Sequence, residues 1–203
     1  MIITPIPHGL EGIVGVSTGH RSPGLHMSDL YGSLYADLYP KRYTKGAVPN
    51  PLYLEAGLAF EEMLEEKFKR RLGPHLGERP DEQFTSAELG GVAGIAYSPD
   101  LLIFDDQKGL ILGEIKLSWQ SSREVPRTAG ETFPPKFDRY FTQIMAYCFH
   151  LQTIYARLLV FFVNGYYQPP TPEFLAWDLT FTQRELDECW AMLRNHGRSK
   201  GLI

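Results

Sequence analysis

Cysteine is scarce in this chain: its 203 residues hold two, Cys148 and Cys189, far apart and without Cys-x-x-Cys spacing. A zinc knuckle or an iron–sulfur cluster takes about four such ligands, so no iron–sulfur cluster is expected. The two thiols read as buried, free groups of a reducing compartment. Long apolar runs are also missing. No stretch approaches the roughly 18 apolar residues of a membrane-spanning helix. The start, Met1-Ile2-Ile3-Thr4-Pro5-Ile6-Pro7, has neither the basic nor the apolar region of a signal peptide. These absences make a cytoplasmic protein with no membrane partner the expectation. Positive charge is not in excess, because Lys and Arg number 20 against 24 Asp and Glu, a net charge of −4. A broadly basic nucleic-acid-binding domain is therefore excluded, although local patches such as Lys41-Arg42 with Lys45, or Lys67 with Lys69-Arg70-Arg71, remain as phosphate contacts or solvated faces.

Several catalytic signatures are absent too. There is no Gly-x-Ser-x-Gly, no His-Glu-x-x-His and no Walker motif, and Gly90-Gly91-Val92-Ala93-Gly94 reads as strand and turn glycines. There is no internal repeat and no low-complexity segment, and the length suits a single domain.

What is present is an alternation of helix and strand patterns. An N-terminal extension over residues 1–50 contains one expected helix around Ser28–Tyr39, with Ser28 as its N-cap. Residues 52–72 form a helical pattern carrying Leu54, Leu58, Met63, Leu64 and Phe68. Strand candidates follow at 82–86, 92–97, 101–105 and 110–119, the last two joined by the turn Asp105-Asp106-Gln107-Lys108-Gly109. A helix over 136–151, strands over 155–163 and 174–180, and a helix opened by the capping box Thr182-Gln183-Arg184-Glu185 complete the core, which spans 52–195. The order predicts an α/β fold with one central mixed sheet flanked by helices.

The chemistry concentrates on the hairpin. Asp100 follows Pro99 at the start of one strand, while Glu114 and Lys116 lie two apart on its partner and share a face. An acid and a lysine on the inward face of so apolar a strand are costly to bury unless paired or metal-bound. An ordinary surface ion pair on a half-exposed edge explains the spacing equally well.

Ser98-Pro99-Asp100-Leu101 followed by Gly113-Glu114-Ile115-Lys116 resembles the signature of the PD-(D/E)XK nuclease superfamily, whose core is restriction-endonuclease-like. Two further elements are similar to its RecB-type and lambda-type exonuclease branch. Gly57-Leu58-Ala59-Phe60-Glu61 resembles a Gly-x-x-x-Glu element that adds a metal-site carboxylate, with Glu55 and Glu62 as rivals of Glu61. Gln143-Ile144-Met145-Ala146-Tyr147 resembles a Gln-x-x-x-Tyr element, part of a polar stripe Lys136, Tyr140, Gln143, Tyr147 on one helix.

The resemblance implies a Mg²⁺-dependent deoxyribonuclease, with Mn²⁺ as a substitute and no iron–sulfur cluster. Asp100, Glu114, Lys116 and Gln143 would be catalytic. Glu61, Asp100, Glu114 and the Ile115 carbonyl would hold metal. Lys136, Arg139, Tyr140, Tyr147 and His26 would contact DNA. It implies a phage-like exonuclease of recombination or repair, in the host cytoplasm if phage-encoded. A restriction or structure-specific endonuclease and a non-catalytic DNA-binding scaffold are the alternatives, and a homo-oligomer or a recombination partner protein is compatible with each.

Overall fold

The computed structural model describes residues 24–43, 55–60, 63, 94–128, 130–166, 168–169 and 171–203, together with the backbone of 84–85. Four strands form its main sheet in the order β3-β4-β5-β6: β3 (Leu101–Asp105), β4 (Gly109–Ser118), β5 (Tyr155–Phe162) and β6 (Glu173–Thr180). β3 and β4 are the expected hairpin, antiparallel with Leu101 opposite Gly113 and Asp105 opposite Gly109. Asp105 Oδ1 accepts the amides of Gln107 and Lys108, and Gly109 takes a positive φ of 74°, the conformation a glycine adopts without strain. β4 and β5 are parallel, and β5 and β6 antiparallel, so the sheet is mixed as predicted. A separate ribbon pairs β1 (Phe84–Thr85) with β2 (Ala96–Tyr97).

A parallel pair needs a crossover. Here it contains a short 3-10 turn, Pro135–Phe137, leading into α2 (Asp138–Leu151), which starts two residues later than the sequence suggests. The prolines explain the offset, since Pro134 and Pro135 fix the approach and tighten the first turn. α3 (Gln183–Ser199) opens at Thr182, whose hydroxyl accepts from Glu185 N while the Glu185 carboxylate accepts from Thr182 N.

The first described helix, α1, runs Met27–Leu38, and its N-cap is His26 rather than the expected Ser28. His26 donates its backbone N–H to Asp29 Oδ2 at 3.0 Å and forms a bridge to Ala96, which pins the helix to β2. Met27, Leu30, Tyr31, Leu34 and Tyr35 recur at helical spacing and are all buried.

Side-chain alternation divides the sheet into two faces. Leu112, Ala156, Leu158, Val160 and Phe162 pack with α1, α2 and α3 in the larger core. Ile111, Ile115 and Leu159 point the other way, towards Phe60, whose ring lies 4.4 Å from that of Phe161. Residues 55–60 are helical, as predicted, and cover that second face. Glu114 and Lys116 have the parity of Leu112, which places them on the face beneath α1, α2 and α3.

Candidate active site

The site begins where β3 begins. Asp100 lies one residue before the first paired rung, and its Oδ2 accepts the N–H of Ile115 at 2.8 Å. A side-chain carboxylate thus replaces the next rung that β3 would have supplied. The N–H and C=O of one strand residue leave towards the same side, so the Ile115 carbonyl also faces the space beyond the end of β3.

Glu114 and Lys116 flank that residue. Lys116 Nζ donates to Glu114 Oε1 and lies 3.8 Å from Asp100 Oδ2, so one ammonium faces both carboxylates. From above the sheet, α2 contributes Gln143. Its Nε2 donates to the same Glu114 oxygen at 2.5 Å and lies 3.4 Å from the Tyr147 hydroxyl. Glu114 has no exposed surface. Burying a carboxylate that completely is costly, and a cation and an amide offset the cost by meeting one of its oxygens, Oε1.

Burial by itself would push the Lys116 ammonium down, but the charges of Glu114 and Asp100 outweigh it and hold it well above the ordinary lysine value. Without metal the lysine is therefore a cation. A neutral amine at this position would need the charge at the carboxylates to be cancelled by something else. Burial, reinforced by Glu114, raises Tyr147 and keeps it a neutral phenol. Burial likewise pushes the Cys148 thiol up to about 12, and both cysteines are free and buried as expected.

The other predicted site residues fall into distinct settings. Tyr147 is 5% exposed and Gln143 9%, so the C-terminal half of the polar stripe turns onto the sheet instead of towards solvent. Tyr140 is partly buried, edge-on to Phe137. Lys136 is tied to Glu124 at 3.0 Å. Arg139 lies over the rings of Tyr31 and Tyr43, 5.4 and 5.2 Å from their centroids. His26 is 6% exposed and caps α1. Glu61 and its rival Glu62 lie outside the described residues, whereas Glu55 is helical and half-buried.

Among the described residues, no group of three or more His, Cys, Asp or Glu side chains is gathered. Asp100, Glu114 and the Ile115 carbonyl nevertheless offer hard oxygens from adjoining positions, a donor set that suits a cation which keeps several waters. The sequence reading missed Tyr31, which is buried and feels the charges of Lys116, Glu114 and Asp100. Its signal was available in the four-residue spacing of Tyr31, Tyr35, Tyr39 and Tyr43.

Solved structures resemble this arrangement over most of its length. The crystal structure of a phage-related exonuclease from Haemophilus somnus 129PT is similar over 84% of this chain and 78% of its own, with a TM-score of 0.51 and 12% identity. The chain shares the fold of that structure. An alkaline exonuclease from Laribacter hongkongensis is similar over 87% of each chain, at a TM-score of 0.49 and 14% identity. No protein-family model and no curated protein sequence matches the chain. The likeness therefore rests on tertiary structure, and the mixed sheet flanked by helices is the class that the strand and helix patterns predicted.

Proposed function

We propose that this chain is a metal-dependent DNA nuclease, acting as an exonuclease on DNA ends in recombination or repair. The observation that carries the reading is the meeting of Asp100, Glu114, Lys116 and Gln143 around the open end of β3. Asp100, Glu114 and the Ile115 carbonyl would hold Mg²⁺, or Mn²⁺ in its place, and Glu61 would add a carboxylate. The bound cation would supply charge at the scissile phosphate and favour ionisation of the attacking water.

The chain's own residues account for the rest. Lys116 brings a fixed positive charge to the phosphate and orients the water between itself and the carboxylates. Gln143 keeps the Glu114 carboxylate in one orientation. Asp100 is held by the Ile115 amide, so the distance between the two carboxylates is set by backbone. Rigid placement of this kind lets a small cluster hydrolyse a diester: water adds to phosphorus and the 3′-oxygen leaves with a proton.

End-labelled single- and double-stranded DNA, with Mg²⁺ or with chelator, tests the reading. Mg²⁺-dependent release of label is expected from the parent, and Asp100→Asn and Lys116→Ala should abolish it. Undiminished degradation by both variants would sink the assignment. Nicking of covalently closed circles would move it to an endonuclease.

A further inference from the structure

Tyr31, Tyr35, Tyr39 and Tyr43 follow one another at intervals of four, with Tyr31 within reach of the charges of Lys116, Glu114 and Asp100 and Tyr39 at the surface. Tyr31 and Tyr35 are each 7% exposed, whereas Tyr39 is 46% exposed. Three of the rings pack on one another: Tyr35 stacks on Tyr39 at 5.8 Å, and Tyr43 stands edge-on to both, at 5.8 and 6.4 Å, while Tyr31 joins them through Arg139. Two guanidinium groups are interleaved. Arg42 lies over the Tyr43 ring at 5.5 Å, and Arg139 lies between Tyr31 and Tyr43. Among the described residues neither arginine forms an ion pair with a carboxylate, unlike Arg127, Arg157 and Arg184, which each hold one.

Packing of α1 requires only the inner end of this ladder. Tyr35 donates to or accepts from Thr142 at 3.0 Å, and Tyr31 sits in the core. The outer end, where Tyr39 is exposed and the two guanidiniums meet rings rather than carboxylates, is surplus to that task. Aromatic faces alternating with cations suit a chain of alternating bases and phosphates.

We propose that the Tyr39–Tyr43 end of the ladder, with Arg42 and Arg139, is a stacking platform for the unpaired bases of a single-stranded DNA segment next to the catalytic cluster. The proposal rests on the nuclease reading for its choice of ligand. Tyr39 offers its face to a base, Arg42 meets the adjoining phosphate, and Arg139 links the platform to Tyr31 beside Lys116.

Fluorescence anisotropy of a labelled oligothymidylate, in chelator so that nothing is hydrolysed, tests it. Tyr39→Ala should weaken binding by roughly 5- to 150-fold, the range for loss of one stacked base. Tyr39→Phe keeps the ring and should bind as the parent does. Arg42→Ala should reduce the salt dependence of binding by about 0.7 in slope, one single-strand phosphate contact. Thermal melting of each variant separates a loss of binding from a loss of fold. Equal binding by parent and Tyr39→Ala, or equal losses in the Ala and Phe variants, would overturn the platform. So would a parent that does not bind the oligonucleotide. A parent that binds through Tyr39 but hydrolyses nothing overturns the nuclease reading alone.

Discussion

Gln143 Nε2 and Glu114 Oε1 are 2.5 Å apart, and this bond is the direct link between the middle of α2 and the central strand of the sheet. A helix that only covered the sheet would present apolar side chains at this position. Instead its amide donates to one oxygen of a carboxylate with no exposed surface, while Lys116 meets the same oxygen from within the strand.

Replacing Gln143 with Leu should therefore cost more than a surface hydrogen bond. A bond to a buried charged group contributes about 1.5–3 kcal/mol, and a drop of that size in the urea unfolding free energy is expected. Nuclease activity should fall with it. Unchanged stability would mean that the Gln143 amide contributes nothing to holding the buried carboxylate.

Asp100 has two separable roles, accepting the Ile115 amide and carrying charge. Asp100→Asn keeps an acceptor oxygen, so unfolding should shift by less than about 1 kcal/mol. Its hydrolysis rate should fall by about 100-fold or more, since several kcal/mol of charge stabilisation are removed. A variant that is both unstable and inactive would leave only the structural role.

Gly113 stands opposite Leu101, and a Cβ added there would lie 2.7 Å from Leu101 Cβ, which cannot swing aside. Gly113→Ala should destabilise the fold by about 1–3 kcal/mol through overpacking. The displaced strand start also carries Asp100, so activity measured well below the melting temperature should fall as well. Full activity in a destabilised variant would show that Asp100 tolerates movement.

His150 is packed among Tyr97, Phe149 and Trp190, its Nε2 lacks a hydrogen-bond partner, and burial pushes its pKa down to about 4. The folded value lies below the unfolded one of about 6.5, so the unfolded chain takes up the proton first. Its contribution is unchanged above about pH 6.5, and stability is lost as pH falls from there towards 4. His150→Phe should flatten that part of the urea-midpoint profile between about pH 7 and about pH 5. Parallel profiles for the two proteins would count against it.

Local chemistry made the hairpin legible. Leu101–Asp105 is a short apolar run bounded by Pro99 and a run of turn residues, so its limits follow from short-range rules, and the parity of Glu114 and Lys116 follows from the two-residue period of β4. The Thr182–Glu185 capping box is readable for the same reason, as it closes within one turn. Ser28 looked like a cap by residue type, but the bridge from His26 to Ala96 decided where α1 begins, a contact across 70 residues.

The sequence by itself determined the hairpin, its acid–lysine spacing, the helix carrying Gln143 and the shortage of cysteine that leaves no cluster ligands. All are properties of neighbours in the chain. Only the tertiary structure decided that Gln143 and Tyr147 turn inward, that one ammonium serves both carboxylates, and that the tyrosines of α1 and of the turn after it begin beside them. Those outcomes depend on the parallel pairing of β4 with β5 and on α2 crossing between them. Periodicity within a segment shows which residues share a face, whereas long-range packing chooses what that face meets.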